Sequence, residues 1–177
     1  MTGLDVENDV IIEIFCLITN GNLEVLDEEG WGAVIHQDKE TMDKMDDWCT
    51  RTHGESGLTA AVLASTTTPE EASQSLLEYI QKFIPTRKTG LLAGSSVHAD
   101  KAFLRKEPYK EAHDYLNHHI LDVSTIKEAA RRWSDREVFR GRPEKKLLHK
   151  AKDDILESIE EAQYYKEAIF QDKKSPP

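Results

Sequence analysis

Hydrophobic positions in the first 40 residues recur at the short spacing of β-strands rather than at helical spacing. Residues 10–19 (VIIEIFCLIT) form an apolar run rich in β-branched side chains, which predicts a largely buried strand. The tripeptide NGN at 20–22 predicts a hairpin turn, because Gly and Asn tolerate positive φ angles. Returning and further strands are therefore expected at 23–26 and 31–36. A lone glutamate inside a strand is more often paired or at an edge than catalytic, so we interpret Glu13 as structural.

From residue 38 onward the apolar positions follow the helical period. Residues 38–52 carry two methionines and Trp48 at this spacing, which predicts one helix with a buried stripe. The segment TPEE at 68–71 is typical of a helix start, since it combines a capping threonine, a proline at the first position and acids in the first turn. Further helices are predicted at 58–64, 98–104, 124–133 and 151–170, short strands at 91–94 and 119–123, and a polar, irregular segment at 134–148.

This order of elements, strands first and then strands alternating with helices, predicts an α/β fold with a mixed sheet. A length of 177 residues suits one domain, which we expect to span 1–171, with a disordered tail at 172–177. No run approaches the roughly 20 apolar residues of a membrane-spanning helix. Cys16 and Cys49 are too few for a disulfide scaffold.

The charge of the chain restricts the ligands that it suits. A formal net charge of −10, from 23 basic and 33 acidic residues, argues against a protein that coats long nucleic acids. The charge is uneven, because residues 1–50 carry 13 acidic and 2 basic side chains, whereas residues 131–152 carry nine basic and three acidic ones. Such a basic segment is usually a solvated surface, but it also suits a short ligand that bears phosphate groups.

Three residues near predicted strand and helix ends have the chemistry of a hydrolase. Asp100 follows the strand at 91–94, close to the edge where α/β sheets place their ligands. Asp154 lies at the start of the last helix, and His149 lies just before it. Two carboxylates and an imidazole suit a divalent-ion hydrolase, since oxygen ligands hold Mg²⁺ and an imidazole accepts a proton from water. Taken alone the pattern is weak, because a chain with 33 acidic residues contains many such triples.

Several long, ungapped segments resemble a known family and narrow this interpretation. They are MTGLD (1–5), IIEI (11–14), MDDWCTRTHGESGLT (45–59), LAGSSVHADKAFL (92–104), LDVSTIKEAARRW (121–133) and HKAKDDILESIEEAQYYK (149–166). On these segments nearly the whole chain resembles oligoribonuclease, a small RNA exonuclease of the DEDDh group with a ribonuclease-H-like fold. The likeness is to the eukaryotic branch of that family.

The resemblance implies a 3′-to-5′ exoribonuclease that degrades very short RNA to 5′-mononucleotides with two divalent ions, Mg²⁺ or Mn²⁺. It makes Asp100 and Asp154 metal-binding, catalytic carboxylates and His149 the general base. Short RNA is the implied ligand, a homodimer the implied assembly, and the cytoplasm or the mitochondrion the implied compartment, with no membrane partner. The substrate-binding residues implied are a wedge between bases (Leu4), a base pocket (Trp48, His53) and a phosphate cap (Ser96, His119, Ser124, Thr125). Structural alternatives remain open: Trp48 as a core residue and Ser124 as a helix cap.

The chain departs from the family pattern in three places. The family motif reads Asp-x-Glu-Met-Thr-Gly-Leu-Asp, and this sequence starts at its methionine, so the first Asp and Glu and most of the central first strand are expected to be missing. Ser95 stands where the family has asparagine, and His118-His119 replace a Tyr-Arg pair that reaches the phosphate held by the other subunit. We therefore expect little or no nuclease activity from these 177 residues. The alternative is a protein that only binds short RNA or dimerises.

Overall fold

The structure, a computed structural model, describes residues 1–144 and 151–170. His149 and the tail predicted at 172–177 lie outside these residues. In chain order the elements are β1 (Glu13–Cys16), β2 (Trp31–Val34), α1 (Lys39–Met42), α2 (Asp47–Glu55), α3 (Leu58–Ala64), α4 (Pro69–Phe83), β3 (Leu92–Gly94), α5 (His98–Leu104), α6 (Lys110–Tyr115), β4 (Ile120–Asp122), α7 (Val123–Trp133), α8 (Arg136–Arg140) and α9 (Ala151–Tyr165), which continues as a π-helical segment, Lys166–Phe170. The predicted α/β class is confirmed.

Two pairs of strands make up the sheet structure of residues 1–144 and 151–170. Strands β1 and β2 pair in antiparallel fashion, from Glu13 opposite Val34 to Cys16 opposite Trp31. Strands β3 and β4 pair in parallel fashion, and Gly94 lies opposite Asp122 at the end of that ladder. Antiparallel and parallel pairing are thus both present, but the two pairs form separate sheets within the described part of the chain.

The strand predicted at 10–19 is shorter than its apolar run. Ile11 and Ile12 are buried, yet the ladder with β2 begins only at Glu13, and the predicted return at 23–26 makes a single bridge, Thr19 to Val25. Burial alone thus explains the apolar side chains that precede the ladder, since a buried extended segment needs the same residues as a paired one.

The helix predicted at 38–52 is two helices, α1 and α2. The break lies at Asp46, whose extended backbone and side chain cap α2, with its carboxylate accepting a hydrogen bond of 2.7 Å from the Cys49 N–H. The Asp46 carboxylate, although it lies between the buried residues Met45 and Cys49, thus starts a second helix in place of one continuous helix. The predicted stripe survives across the break, because Met42, Met45 and Cys49 share one buried cluster.

Two short helices were not predicted. Helix α8 lies inside 134–148, which we expected to be irregular, and α6 precedes β4. Both are shorter than two helical turns, so neither repeats an apolar position often enough to show a period. Helix α6 nevertheless contributes to the core, where Ala112 and Tyr115 pack with Leu76 and Ile80 of α4. The predicted start of α4 is confirmed by a complete capping box between Thr68 and Glu71.

Helix α9 packs against β1, β3 and α7, and so joins the two strand pairs. Its Tyr165 is fully buried, and its buried Glu161 lies 3.5 Å from the Lys127 ammonium of α7. The contacts of α9 fix the orientation of its first turn, where Asp154 lies. Among the described residues, no helix is long and apolar enough to cross a membrane.

The buried position of Ile12 yields a stability prediction. Ile12 has no exposed surface and packs with the methionines of α1 and of the α1–α2 break. Ile12→Ala leaves a cavity among these side chains, so the free energy of unfolding is expected to fall by about 2–5 kcal/mol in urea denaturation. The control Leu91→Ala, at a half-exposed position, is expected to change it by less than about 1 kcal/mol. Equal losses in the two variants would contradict the assignment of Ile12 to the core.

Candidate active site

Two loops meet at the carboxyl ends of the parallel strands β3 and β4. From Gly94 the chain turns through Ser95 and Ser96 into α5, and from Asp122 it enters α7 directly. Ends of parallel strands share one edge of the sheet, so polar residues that follow them come together. The hydroxyl oxygens of Ser96 and Ser124 accordingly lie 3.1 Å apart.

The buried carboxylate of Asp122 holds these loops in place. Its Oδ1 accepts hydrogen bonds from the backbone N–H groups of Ser96 and Ser124, each at 3.0 Å, and its Oδ2 lies 3.1 Å from Nδ1 of His98. Burial acts to raise the pKa of Asp122, but the hydrogen bonds from His98, Ser96 and Ser124 together outweigh it and lower the pKa. Asp122 is therefore held as a carboxylate that fixes three segments of the chain.

Asp122, and not Ser124, caps helix α7. The interpretation of Ser124 as a helix cap is thus wrong, because the Asp122 side chain accepts the hydrogen bond from the first turn. Ser124 is instead placed to share a hydrogen bond with Ser96. The φ angle of Ser96 is +55°, a left-handed conformation that is costly for a residue other than glycine and that Asp122 stabilises through the Ser96 N–H.

Two further predicted cap residues lie at different distances from this pair. Thr125 is exposed on the first turn of α7, directly after Ser124. His119 precedes β4, three residues before Asp122, so it lies at the other end of the strand, about 10 Å away. It is exposed, and its ring stacks on that of His118 with centroids 3.9 Å apart. The structure thus brings Ser96, Ser124 and Thr125 together and leaves His119 apart from them.

Three carboxylates interact electrostatically around the amine of Met1. Those of Asp100 and Glu13 interact with the amine itself, and that of Asp154 interacts with Glu13. Asp100 lies in the first turn of α5, where surrounding protein atoms desolvate its carboxyl group and raise its pKa, while the Met1 amine opposes that rise. Burial also raises the pKa of Glu13, and the Met1 amine lowers it while the charge of Asp154 raises it further. Asp100, Glu13 and Asp154 therefore belong to one acidic neighbourhood, which we had not expected for Glu13.

A pair of serine side chains connects this neighbourhood to the loop after β3. The Ser158 hydroxyl donates a hydrogen bond to the backbone carbonyl of Asp154 at 2.8 Å. Ser95 Oγ lies 2.9 Å from Ser158 Oγ. Because the single hydroxyl proton of Ser158 is used on the carbonyl, Ser95 is the donor of this second bond. The loop that leads to Asp100 is thereby linked to the helical turn that carries Asp154.

The N-terminal segment and α2 place the predicted base-contacting residues. Leu4 is 75% exposed and Trp48 is 55% exposed, so both present apolar surface to solvent, and Trp48 is not a core residue. His53 is part-buried, and its Nε2 lies 3.1 Å from the carbonyl oxygen of Met1. Burial lowers the pKa of His53, which favours the neutral ring at pH 7. The His53–Met1 hydrogen bond joins the segment that carries Leu4 to the helix that carries Trp48.

The described residues include carboxylates of the kind that bind divalent metal ions. Carboxylate oxygens such as those of Asp100 and Asp154 are the ligands that Mg²⁺ and Mn²⁺ prefer. However, residues 1–144 and 151–170 contain no group of three or more His, Cys, Asp or Glu side chains arranged to hold a metal ion. The described donor set therefore does not complete a centre for one ion, and still less for two.

Sequence reasoning missed the residues that support the site. They include Asp122, His98 and Ser158, which act through hydrogen bonds to residues distant in the chain. One local signal was available for Asp122, because an aspartate two residues before a serine, after a predicted strand, is typical of an N-cap. No comparable pattern marks Ser158.

The chain is similar to known exonucleases along nearly its whole length. The model of a family described as Exonuclease matches residues 1–162. The mitochondrial oligoribonuclease of Mus musculus is 47% identical over 175 residues, which cover 98% of this chain and 71% of the relative. The mitochondrial oligoribonuclease of Saccharomyces cerevisiae is 47% identical over 171 residues, or 93% of this chain and 63% of that protein.

The likeness extends to bacterial proteins. The oligoribonuclease of Rhodococcus jostii is 42% identical over 176 residues, which cover 99% of this chain and 87% of the relative. The exonuclease match also assigns the α/β arrangement to the ribonuclease-H-like fold that the sequence predicted. With matches of this identity along nearly its whole length, the chain belongs to the oligoribonuclease family of exonucleases.

Proposed function

We propose that this chain carries the fold and the substrate-binding surface of a 3′-to-5′ exoribonuclease that acts on very short RNA and releases 5′-mononucleotides, and that turnover also needs the Asp and Glu that open the family motif. The observation that carries the proposal is the similarity to oligoribonucleases over 98% of the chain, and the 3.1 Å approach of the Ser96 and Ser124 hydroxyls at the carboxyl edge of β3 and β4 supports it. Mitochondrial relatives support a mitochondrial location as part of the proposal. A homodimer is proposed on the family resemblance alone.

The exposed residues of the site divide into two binding functions. The Leu4 and Trp48 side chains are apolar and open, as is required for stacking or wedging against bases. The Ser96 and Ser124 hydroxyls, with Thr125 beside them, supply neutral donors for a terminal phosphate at the start of α7, where the helix dipole favours an anion. Such a cap limits the length of RNA that fits, because a longer strand would have to pass through it.

The carboxylates supply the remaining chemistry of phosphodiester hydrolysis. Asp100 and Asp154 would hold divalent ions, which when bound activate water and balance charge on the phosphate. We propose two such ions, Mg²⁺ or Mn²⁺, and His149 as the base that removes the proton from water. In the family motif Asp-x-Glu-Met-Thr-Gly-Leu-Asp, the first Asp and Glu complete this donor set, and we propose that turnover needs both.

The primary test is turnover of a 5′-phosphorylated diribonucleotide in Mg²⁺ or Mn²⁺. The 177-residue chain is expected to be nearly inactive, and the same chain extended by a strand that ends in Asp-x-Glu is expected to release mononucleotides, because only the extended form can hold two ions. Product formation is measured by chromatography of labelled RNA.

Each other outcome of this assay has its own meaning. Equal turnover by both forms would contradict the need for added carboxylates. Turnover by neither form would contradict the nuclease proposal, and tight dinucleotide binding in EDTA would then favour the alternative of an RNA-binding protein without catalysis.

A matched pair of variants tests the role of Asp154. In the extended chain, Asp154→Asn is expected to lower kcat by at least 100-fold, since a neutral amide is a poor ligand for a divalent cation. Asp153→Asn serves as the control, because the adjacent helical position points about 100° away from Asp154. Similar kcat values for the two variants would show that Asp154 has no special role.

The ionised state of Asp122 yields a prediction about pH. Its pKa is lowered on folding, so its stabilising effect is present above the unfolded pKa of about 3.9 and is lost as the pH falls through the folded value. Asp122→Asn is expected to cost about 1–3 kcal/mol of unfolding free energy at pH 7 and progressively less below pH 4, measured by urea denaturation at each pH. Asp135→Asn, at a cap that makes no side-chain hydrogen bond, is the control. A cost for Asp122→Asn that does not vary with pH would contradict the charged role.

A further inference from the structure

A hollow lined by basic side chains contains none of the catalytic or substrate-binding residues proposed above, although its His118 is next to His119. Its volume is about 210 Å³. Three of the residues that line it are cationic, namely Lys88, Lys101 and Arg105, and two are histidines, His113 and His118. On a chain with a net charge of −10, this concentration of positive charge is unusual. We call this feature the basic hollow.

Helix α5 separates the basic hollow from the acidic neighbourhood. Asp100 and Lys101 are adjacent on α5 and therefore point about 100° apart. Arg105 follows Lys101 by four residues and lies on the same side. His118 precedes β4, whereas Asp122, Ser96 and Ser124 lie at the other end of that strand. The basic hollow is thus a different surface from the one formed by Ser96, Ser124 and Thr125, while its His118 stacks on His119.

The backbone around Lys88 is held in a strained form. The φ angle of Lys88 is +66°, in the left-handed region that residues other than glycine rarely adopt. Three hydrogen bonds hold it there: the Lys88 N–H donates to the Tyr115 carbonyl at 2.8 Å, the Asn117 side-chain amide donates to the Lys88 carbonyl at 2.7 Å, and the Asn117 N–H donates to the Gly90 carbonyl at 2.8 Å. Strain maintained by surrounding contacts is typical of binding sites, and here it sets the position of a lysine that lines the basic hollow.

Lys88, Lys101 and Arg105 of the basic hollow have no acidic partner among the described residues, whereas its His113 contacts Asp114. No carboxylate of residues 1–144 or 151–170 forms an ion pair with Lys88, Lys101 or Arg105. Lys101 donates one hydrogen bond to the His118 carbonyl, which leaves its other two N–H groups for a ligand. The nearby Asp114 is already engaged by Lys110 and by Nδ1 of His113. The charge of the basic hollow is therefore available to an external anion.

We propose that the basic hollow binds a phosphoryl group. Ligand pockets for whole organic molecules usually occupy about 300–1,000 Å³, so a hollow of 210 Å³ suits the phosphate of a nucleotide with its sugar and base outside. An arginine and two lysines are the side chains best suited to such an anion. That the phosphate comes from RNA or from a mononucleotide product rests on the proposed function, whereas the anion site itself does not.

The test is NMR titration of the isotope-labelled 177-residue chain with inorganic phosphate, 5′-AMP, adenosine, and ApA without a 5′ phosphate. Phosphate and 5′-AMP are expected to shift the backbone amide signals of Lys88 and Asn117, and adenosine is expected to leave them unchanged. The shifts induced by ApA show whether an internal phosphodiester also binds, in which case RNA is a source of the ligand; no ApA shift assigns the site to terminal and free phosphates. Shifts confined to Ser96 and Ser124 would place the phosphate in the cap and overturn the proposal.

Charge variants provide the second measurement. The double variant Lys88→Gln, Arg105→Gln is expected to raise the Kd for 5′-AMP at the Lys88 and Asn117 signals at least tenfold, while Lys82→Gln, an exposed change of the same kind on α4, is expected to leave it unchanged. Equal Kd values for the double variant and for Lys82→Gln would overturn the proposal. Because binding is measured without turnover, failure here leaves the nuclease proposal intact, and failure of the turnover assay leaves this one intact.

Discussion

One buried carboxylate, that of Asp122, organises the polar end of this fold. It ends a strand, caps the helix that follows and accepts hydrogen bonds from the loop after the neighbouring strand. The loop begins α5 two residues after Ser96, so the direction of α5, and with it Asp100, depends on this anchor. Burying a charge is costly unless it is fully hydrogen-bonded, and here the lowered pKa reflects donors that outweigh the cost. The two predicted binding serines are close together because both backbones are held by the same oxygen.

Local signals predicted the elements that local interactions determine. The bounds of α3 and α5 and the start of α4 follow from apolar spacing and from a capping box, each contained within a few residues. The stretch 38–52 was misinterpreted because its methionine stripe continues through a break that one aspartate creates. Helices α6 and α8 are too short to show a period. Their stability comes from tertiary contacts, such as those of Tyr115 with α4, which a pattern along the chain does not contain.

The same distinction between local and long-range interactions separates the site residues that could be predicted from those that could not. Asp100 and Asp154 were predicted from residue type and family resemblance; the charge of Asp154 acts on Glu13, and Asp100 and Glu13 both act on the Met1 amine. The Ser95–Ser158 hydrogen bond spans 63 positions, and the His98–Asp122 contact spans 24, so each depends on how strands and helices pack. Glu13 was interpreted as structural because strand periodicity shows only which residues alternate between the two faces. Which carboxylates face one another depends on the packing of α9 on β1.

Helix α2 has one face in solvent and the opposite face in the hydrophobic core. Trp48 is exposed, while its neighbour Cys49 is buried with Ile12 and Val62, and burial raises the pKa of the Cys49 thiol. A ligand that stacks on the indole therefore contacts a helix whose opposite face packs in the hydrophobic cluster of Cys49, Ile12 and Val62. Binding of a ligand at Trp48 therefore stabilises the folded chain. A ligand that binds only the folded state and is present at 100 times its Kd adds about 2.7 kcal/mol to the free energy of unfolding. The melting temperature of the protein accordingly rises when a base binds at Trp48, as it does for any ligand of the folded chain.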